Sequence, residues 1–286
     1  MERIYDRPDT LEQALHIKAK FPTATVLAGG TDLLVYMREG KQTPQRLLDI
    51  TGLSALRHIR QEGNTIIIGA MTTFTSIEQS VLLSNCFPAL CCAAASVGSP
   101  QIRNRGTIGG SIANANPSGD IIPALVIAEA SVTTVSERGT RVLSIEELIT
   151  GIGKTSLMQD EIIQDIQFPV FAPGTKTLFS KIGRRNALAI ARLNGACALR
   201  LHNDAIDGIR ISIGAATNRP MRMHCAEALL NGKTPTNELL LQAGQAVSDY
   251  ILELTGYRHS SNYKLPVARD MAVRLIRDTL QQGGIE

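Results

Sequence analysis

The sequence lacks tryptophan, and aromatic residues of all kinds make up only 4% of its 286 residues. It also lacks any run of about 20 apolar residues, which is the length that a transmembrane helix requires. The N-terminus has no basic start followed by an apolar stretch, so it does not resemble a secretory signal. These absences predict a soluble, cytoplasmic protein without a membrane span.

Cysteine and excess charge are scarce as well. The five cysteines form no C-x-x-C pair and their number is odd, which argues against a disulfide framework and against a zinc or iron–sulfur site. The histidines are scattered, without the spacing of metal ligands or of a catalytic triad. The net charge is only +3, and no basic patch indicates a nucleic-acid partner.

Apolar residues make up 44% of the chain and charged residues 19%, which suits two or three compact units. The first part predicts mixed structure: a helix capped by Asp9, strands at 25–27, 47–50, 65–69 and 161–168, helices at 32–37, 88–97 and 120–128, and a hairpin at 131–143. Pro169, Pro173 and Gly174 indicate a boundary. Three strands (177–183, 190–202 and 207–214) and then three helices (near 223–231, 236–252 and 262–281) follow, a pattern typical of an α+β unit.

A glycine pair lies between the strand predicted at 25–27 and the helix predicted at 32–37, in the segment 27–33, which reads LAGGTDL. Glycine tolerates positive φ angles and lets a ligand approach the backbone closely. Successive N–H groups there form an anion-binding nest, to which the dipole of the following helix adds. Thr31 adds a hydroxyl donor, whereas Asp32 suits the N-cap of the helix as well as a ligand contact. Alone, such a segment is more often a plain turn.

A second glycine pair follows in residues 98–120, a stretch rich in glycine and asparagine that we expect to be irregular. Long irregular segments inside compact domains are usually functional. Thr107 and the pair Gly109-Gly110 are expected to offer hydroxyl and backbone donors, as in the first segment. Two such segments in one domain can hold one diphosphate from both sides, so the pair is far more specific than either member.

Polar residues continue beyond the second glycine pair, in the sequence ANANPSGD. Asn114 and Ser118 are expected to add polar contacts to a ligand. Asp120 either accepts hydrogen bonds from sugar-like hydroxyls or caps the helix that follows it.

The combination of AGGTDL with TIGGSIAN and PSGD resembles the FAD-binding medium subunit of molybdenum hydroxylases. That family includes the flavin subunits or domains of xanthine dehydrogenase, carbon monoxide dehydrogenase and nicotinate dehydrogenase. The resemblance covers nearly the whole chain, since it extends to RN at 103–104, DEII at 160–163, KIGRRNALAI at 181–190, GAATNRP at 214–220 and NYK at 262–264.

The resemblance implies which residues bind FAD, because both glycine segments hold its diphosphate in that family. In the first segment these are Val26, Leu27, Ala28, Gly29, Gly30, Thr31, Asp32 and Leu33. In the second they are Thr107, Ile108, Gly109, Gly110, Ser111, Asn114, Ser118 and Asp120. The family also places residues matching Ile163 and Lys181 near the flavin ring, although a core isoleucine and a solvated lysine are the plain interpretations of these two positions.

Two positions depart from the family pattern. Ser111 stands where the family usually has asparagine, and serine has the shorter reach. Residues 187–190 read ALAI and offer no tyrosine of the kind that shields the flavin in many relatives.

The implied fold is α+β. It is a two-subdomain FAD-binding fold of the vanillyl-alcohol-oxidase type, with FAD between the subdomains, plus a C-terminal domain of an antiparallel sheet and helices. We expect the FAD-binding subdomains at residues 1–58 and 59–173, and the C-terminal flavoprotein domain at 174–286.

The implied function is that of an oxidoreductase subunit that binds FAD non-covalently and passes electrons. In the family, a molybdopterin-binding large subunit oxidises the substrate and a small subunit with [2Fe–2S] clusters delivers the electrons, which NAD+ or another acceptor finally takes. The family assembles as a dimer of such heterotrimers. The cofactor carries the chemistry and the protein sets its position and potential, so a basic group such as Lys181 would stabilise the reduced flavin.

Two other functions remain open. A stand-alone FAD-dependent oxidoreductase with a related fold would need a substrate base of its own. A non-enzymatic assembly subunit would have lost FAD, but intact glycine pairs argue against it because glycines without a ligand cost backbone entropy. Fold analogy alone does not decide among these functions.

Overall fold

The computed structural model describes residues 3–185 and 188–282, which form three main sheets covered by helices. The strands are β1 (Ile4–Asp6), β2 (Thr25–Leu27), β3 (Arg46–Asp49), β4 (Ile59–Glu62), β5 (Thr65–Gly69), β6 (Ser131–Ser136), β7 (Gly139–Ser144), β8 (Ile149–Gly151), β9 (Lys154–Thr155), β10 (Ile162–Pro169), β11 (Lys176–Ile182), β12 (Leu193–His202) and β13 (Ala205–Gly214). The helices are α1 (Leu11–Lys20), α2 (Leu33–Arg38), α3 (Phe74–Glu78), α4 (Val81–Cys86), α5 (Pro88–Ala95), α6 (Pro100–Arg103), α7 (Ile108–Asn114), α8 (Ile121–Ile127), α9 (Ile145–Leu148), α10 (His224–Leu230), α11 (Asn237–Thr255) and α12 (Ser261–Gln281), with a 3-10 turn at Ser54–Leu56.

The first sheet is parallel and has the order β1-β3-β2. Helix α1 connects β1 to β2 and buries Ala14 in the same apolar core as Leu48 and Ile50. Thr10 caps this helix, because its hydroxyl accepts the N–H of Gln13 at 3.3 Å. The prediction that Asp9 is the cap was therefore one residue off. The first glycine pair follows β2, at the carboxyl edge of the sheet, where parallel sheets commonly bind ligands.

The second sheet is antiparallel and has the order β4-β5-β10-β6-β7. Strand β10 lies at its centre, where Ile166 faces Ile68 on one side and Val132 on the other. These residues are fully buried because α5 and α8 contribute to the same core, which includes Phe87. Helix α8 is buried on every side, as its sequence IIPALVI allows.

Residues 98–120 contain two short helices, so the expectation that the whole stretch is irregular is wrong. Ser99 is the N-cap of α6, and its side chain accepts the N–H of Ile102. Helix α7 contains the second glycine pair, and its N-cap is Thr107, whose extended backbone and capping hydroxyl initiate the first turn. Its C-cap is Ala115, which has a φ angle of +46°. Two capping residues thus override the low helix propensity of glycine.

The third sheet is antiparallel, with the order β11-β12-β13; α10 and α12 pack on it, and α11 packs on these two helices. Gly244 permits α11 and α12 to approach closely, since a β-carbon there would lie 2.8 Å from the carbonyl oxygen of Arg269. Helix α8, which precedes the second sheet's strand β6 in the sequence, also contacts β12 and β13 of the third sheet.

The domain boundaries at residues 58 and 173 stay predictions. Within the described ranges, no helix has both the length and the apolar character needed to cross a membrane.

Candidate functional site

A cavity of about 550 Å³ lies between the two glycine segments, and its volume is that of a typical cofactor site. Most of the predicted site residues line it: Val26, Ala28, Gly29, Gly30, Thr31, Asp32, Leu33, Thr107, Gly109, Gly110, Ser111, Asn114, Ser118, Asp120 and Ile163. The structure therefore brings together residues that are up to 137 positions apart (26 to 163) in the sequence.

Three predicted site residues do not line the cavity. Ile108 is fully buried in the apolar core of the second sheet, and Leu27 is the half-buried last residue of β2. Lys181 lies on β11 and reaches toward the cavity without forming part of its wall.

The two glycine segments lie directly against each other. A β-carbon on Gly29 would collide with the carbonyl group of Arg105, and a β-carbon on Gly110 would lie 3.9 Å from that of Ala28. A larger residue at position 29 would therefore push the first segment away from the residues that precede the second. This close approach explains why Gly29 has no side chain.

The first segment presents free backbone donors to the cavity. Within residues 3–185 and 188–282, the N–H groups of residues 29–33 have no hydrogen-bond acceptor. Gly30 has a φ angle of +74°, which turns the chain from β2 into α2. A row of free N–H groups at such a turn is an anion-binding arrangement.

Asp32 is not the side-chain cap of α2. It occupies the N-cap position, but its backbone is already helical, with φ −102° and ψ −50°, and its carboxyl makes no capping hydrogen bond. Asp32 is among the residues that line the cavity. Of the two roles that the sequence left open for Asp32, the side-chain cap is therefore wrong and the ligand contact stays a prediction.

The second segment uses its own backbone donors internally. The N–H of Ile108 donates to Thr72 O at 3.0 Å, that of Gly109 to Ala70 O at 2.9 Å, and that of Gly110 to Thr107 Oγ1 at 3.1 Å. The expectation that this glycine pair offers backbone donors is therefore wrong, because Thr107 and the neighbouring chain already occupy them. Gly109 is required for packing instead, since a β-carbon there would lie 2.7 Å from that of Ala70.

The polar side chains of the second segment are available to a ligand. Ser111, Asn114 and Ser118 line the cavity, and their side chains have no hydrogen-bond partner among the residues that the structure describes. Hydroxyl and amide groups can both donate to and accept from a polar ligand. The second segment therefore contributes through side chains, whereas the first contributes through its backbone.

Asp120 is held by the third sheet and does not cap α8. Its Oδ2 atom accepts from Lys181 Nζ at 2.5 Å, and its Oδ1 atom accepts from Asn194 Nδ2 at 3.0 Å. Burial raises the pKa of Asp120, and the hydrogen bond from Lys181 opposes that rise. Lys181 also donates to Ser96 O at 2.9 Å, and its side chain is only 14% exposed. Interpreting Lys181 as a solvated surface lysine is therefore wrong.

The sequence interpretation missed several residues that line the cavity. Glu161 is buried, lies 3.1 Å from Arg141 Nη1 and accepts the N–H of Met158. Its signal was the DEII motif, of which only Ile163 was assigned to the site. Leu188 and Ile190 line the cavity with side chains that are 54% and 78% exposed, so they lie at its mouth.

The structure describes only part of the segment 187–190, where the sequence lacks the tyrosine found in many relatives. Ala187 lies outside the described residues, whereas residues 188–190 lie at the cavity and provide aliphatic side chains. No cluster of three or more metal-binding side chains occurs in the part of the chain that the structure describes.

Comparison with known proteins identifies the family. Residues 1–171 match the model of the FAD binding domain in molybdopterin dehydrogenase, and residues 178–279 match the CO dehydrogenase flavoprotein C-terminal domain. The chain is 33% identical to the xanthine dehydrogenase FAD-binding subunit of Escherichia coli O157:H7, over 98% of this chain and 97% of that protein. It is also 33% identical to the nicotinate dehydrogenase FAD-subunit of Eubacterium barkeri, over 96% and 95% of the two chains.

The solved structures agree with the sequence relatives. A chain of carbon monoxide dehydrogenase from Hydrogenophaga pseudoflava superimposes with a TM-score of 0.92 at 30% identity, covering 98% of both chains. This similarity confirms the α+β fold with an FAD-binding domain followed by a C-terminal domain, and it confirms FAD as the cofactor. The chain therefore belongs to the molybdenum hydroxylase family, in which it is an FAD-binding medium subunit.

Proposed function

We propose that this chain holds FAD in the cavity between its glycine segments and passes electrons from a molybdenum-containing partner to NAD+ or another acceptor. The observation that carries the proposal is the row of free N–H groups at residues 29–33, which opens on the cavity. Such a row suits a diphosphate, the most highly charged part of FAD.

The remaining cavity wall also fits FAD. Ser111, Asn114 and Ser118 provide polar side chains for the diphosphate and the sugar-like hydroxyls. Ile163 and the aliphatic residues 188–190 provide apolar surface for the ring systems. Cofactor sites combine predominantly apolar walls with a few placed polar groups in this way.

FAD supplies the ability to exchange electrons singly or in pairs, and the protein residues position it and exclude water. The proposed partners are a molybdopterin-binding large subunit and a small subunit with [2Fe–2S] clusters, together forming a dimer of heterotrimers in the cytoplasm. The names of the relatives support the arrangement, since they describe an FAD-binding subunit, an FAD-subunit and a medium chain.

The cavity itself favours electron transfer over a stand-alone oxidoreductase. A stand-alone enzyme needs a free general base near its substrate. Asp120 is paired with Lys181, and Glu161 is paired with Arg141, so neither of these buried carboxylates is free for that role. Asp32, the third carboxylate-bearing residue of the cavity, lies in the segment 29–33 that we assign to the diphosphate, not to a substrate. We therefore assign substrate oxidation to the partner subunit.

The substrate of the complex is not assigned to this chain. The relatives at similar identity are named for xanthine, nicotinate and carbon monoxide, which share little chemistry. This spread is what we expect if another subunit selects the substrate.

The first test is to purify the full chain with the subunits that it carries and to record its absorption spectrum before and after acid release of cofactor. We expect bands near about 450 nm that leave with one non-covalent FAD per chain, and additional iron–sulfur absorbance when larger partners co-purify. A colourless chain that also fails to take up added FAD would contradict the proposal.

The acceptor is tested by running the electron transfer backward. If NAD+ is the acceptor, NADH should bleach the flavin band under anaerobic conditions, with dithionite as the positive control. Bleaching by dithionite but not by NADH would leave the FAD site intact and exclude NAD+ as the acceptor.

A further inference from the structure

Two motifs that the proposed function does not use, GAATNRP at 214–220 and NYK at 262–264, meet at a strained residue. Ala215, the second residue of the first motif, has a φ angle of +60°. Alanine rarely adopts this left-handed conformation, because its β-carbon then lies too close to the following carbonyl oxygen. Such strain persists only where the surrounding structure imposes it, and it is concentrated at functional positions.

Hydrogen bonds hold Ala215 through both of its backbone polar groups. Its carbonyl oxygen accepts from Lys264 Nζ at 2.5 Å, and its N–H donates to the carbonyl oxygen of Pro117 at 2.8 Å. Lys264 lies in the first turn of α12, and Pro117 lies in the turn between α7 and α8. Ala215 therefore connects the start of α12 to a turn of the FAD-binding domain.

The turn at 116–119 forms part of the cavity wall. Three of its residues line the cavity: Asn116, Ser118 and Gly119. The last two donate their N–H groups to Asn116 at 2.9 Å each, so local hydrogen bonds fix the shape of the turn. Hydrogen bonds from the C-terminal domain contribute to its position: the bond from the Ala215 N–H is 2.8 Å long, and those from Asn194 Nδ2 are 3.5 and 3.4 Å long.

Lys264 is placed unfavourably for any purpose other than its contact with Ala215. Burial, and after it the charge of Arg258, lowers the pKa of Lys264, and no carboxylate among the described residues lies beside it to oppose this. The lysine also lies at the amino end of α12, where the helix dipole disfavours a cation. It does not line the cavity, so the hydrogen bond to Ala215 O is the gain that the structure shows for this half-buried ammonium group.

We propose that Lys264 is a positioning residue of the FAD site: by holding Ala215 in the left-handed conformation, it keeps the turn at 116–119 in place against the cofactor. The inference rests on the proposed function, because it assumes that FAD occupies the cavity. The lysine acts through the backbone of two residues, Ala215 and Pro117, and contributes no atom to the cavity wall.

The test asks whether a glycine at 215 makes the lysine dispensable. Lys264→Met removes the donor, so Ala215 is free to leave its strained conformation, and FAD affinity should fall by about tenfold, the value of one hydrogen bond to a charged group. Glycine adopts a φ angle of +60° without strain, so the double variant A215G/K264M should bind FAD within about twofold of wild type. Fluorescence titration of the full apo chain with FAD, at low and at high ionic strength, measures both affinities.

Two matched controls separate this effect from general stability. Lys176 also donates to a backbone carbonyl in the C-terminal domain, that of Leu280 at 3.0 Å, so Lys176→Met should leave FAD affinity unchanged. Asn203 has a φ angle of +50° in the turn between β12 and β13, so Asn203→Gly relieves a similar strain away from the cavity and should not restore FAD affinity to Lys264→Met. If Lys264→Met does not accumulate as a folded chain, Lys264→Gln gives the same comparison with a smaller change.

Two results would overturn the inference. Wild-type FAD affinity in Lys264→Met would mean that the turn keeps its position without the lysine. A loss that Ala215→Gly does not restore would mean that the lysine acts by another route, and disappearance of that loss at high ionic strength would identify the route as attraction to the diphosphate. A wild-type chain that binds no FAD would instead contradict the proposed function, so the two failures are distinguishable.

Discussion

The two glycine segments at the cavity have similar sequences, but their backbones present different groups to a ligand. Residues 29–33 leave consecutive N–H groups free among the described residues, whereas Ile108, Gly109 and Gly110 donate theirs to Thr72, Ala70 and Thr107. We therefore propose that the first segment is the binding surface and that the second is a closely packed wall that positions polar side chains.

The difference arises from what precedes each glycine pair. Thr107 is extended and caps α7 with its hydroxyl, so the first turn of that helix is satisfied internally. Gly29 and Gly30 follow a strand and turn at a positive φ angle before α2 begins, and no residue caps that helix. A glycine pair therefore binds an anion only where the local fold leaves its donors free.

Gly29→Ala should have the largest effect, because it breaks the contact that holds the two segments together. The new β-carbon would lie 2.7 Å from the carbonyl carbon of Arg105, and backbone on both sides has to move. We expect a loss of about 1–3 kcal/mol in the free energy of unfolding, typical of overpacking, and a fall of about 100-fold in FAD affinity. Denaturant unfolding and fluorescence titration with FAD measure the two effects.

Gly52→Ala is the control for that change. Its β-carbon would have no neighbour closer than 3.8 Å, so both quantities should stay within the range of a neutral surface substitution. Unaltered FAD affinity in Gly29→Ala would show that the segments do not need to touch.

Gly30→Ala should separate backbone strain from ligand binding. Gly30 and Gly174 have φ angles of +74° and +81°, so alanine is strained at both by about 1–2 kcal/mol. Only Gly30 lines the cavity. We expect a loss of unfolding free energy in both variants, somewhat larger in Gly30→Ala because its β-carbon would lie 3.0 Å from Leu34 Cδ1 whereas that of Gly174 meets nothing within 4 Å. A fall in FAD affinity, by about tenfold, is expected only in Gly30→Ala. Equal FAD affinities in the two variants would contradict a binding role for the first segment.

The two threonines should give opposite results. Thr107→Ala removes the cap of α7 and should cost about 1 kcal/mol of unfolding free energy. Thr107 also lines the cavity, but its hydroxyl already accepts the N–H of Gly110, so FAD affinity should change little. The hydroxyl of Thr31 has no partner among the described residues, so Thr31→Ala should lower FAD affinity by about fivefold, the value of one hydrogen bond, at unchanged stability. Thermal unfolding of the apo chain and FAD titration, run in parallel, check the pattern. The reverse pattern would show that the second segment supplies the donors.

Local signals in the sequence were sufficient for much of the fold. Runs such as Thr65–Gly69 are apolar, rich in β-branched residues and bounded by turns, so they predict buried strands correctly. Helices α6 and α7 were missed because glycine and asparagine masked their Ser99 and Thr107 caps. The reason for a glycine at 109 is its contact with Ala70, and no local pattern shows a contact made 39 residues away (109 − 70).

The candidate site, like the fold, was only partly predictable from the sequence. The glycine pairs were visible because each is a short motif with a local conformation. The environment of Asp120 was not, because its partners Lys181 and Asn194 lie 61 and 74 residues away on another sheet. The free or occupied state of each N–H group was equally invisible, since acceptors such as Ala70 O come from distant strands and turns.

Replacing Ser111 should produce the smallest effect, and it tests whether the side chains of the second segment contribute to FAD binding. Ser111 lines the cavity on the first turns of α7, and asparagine would extend a donor further toward the ligand. Across Ser111→Ala, wild type and Ser111→Asn, we expect FAD affinity to rise by about two- to threefold at each step, at the lower end of one hydrogen bond. A β-carbon on Gly119 would lie 3.6 Å from Ser111 Oγ, so there is little spare room on that side. If Ser111→Asn binds FAD more weakly than Ser111→Ala, the longer side chain collides with this turn, and the wall is shaped for serine.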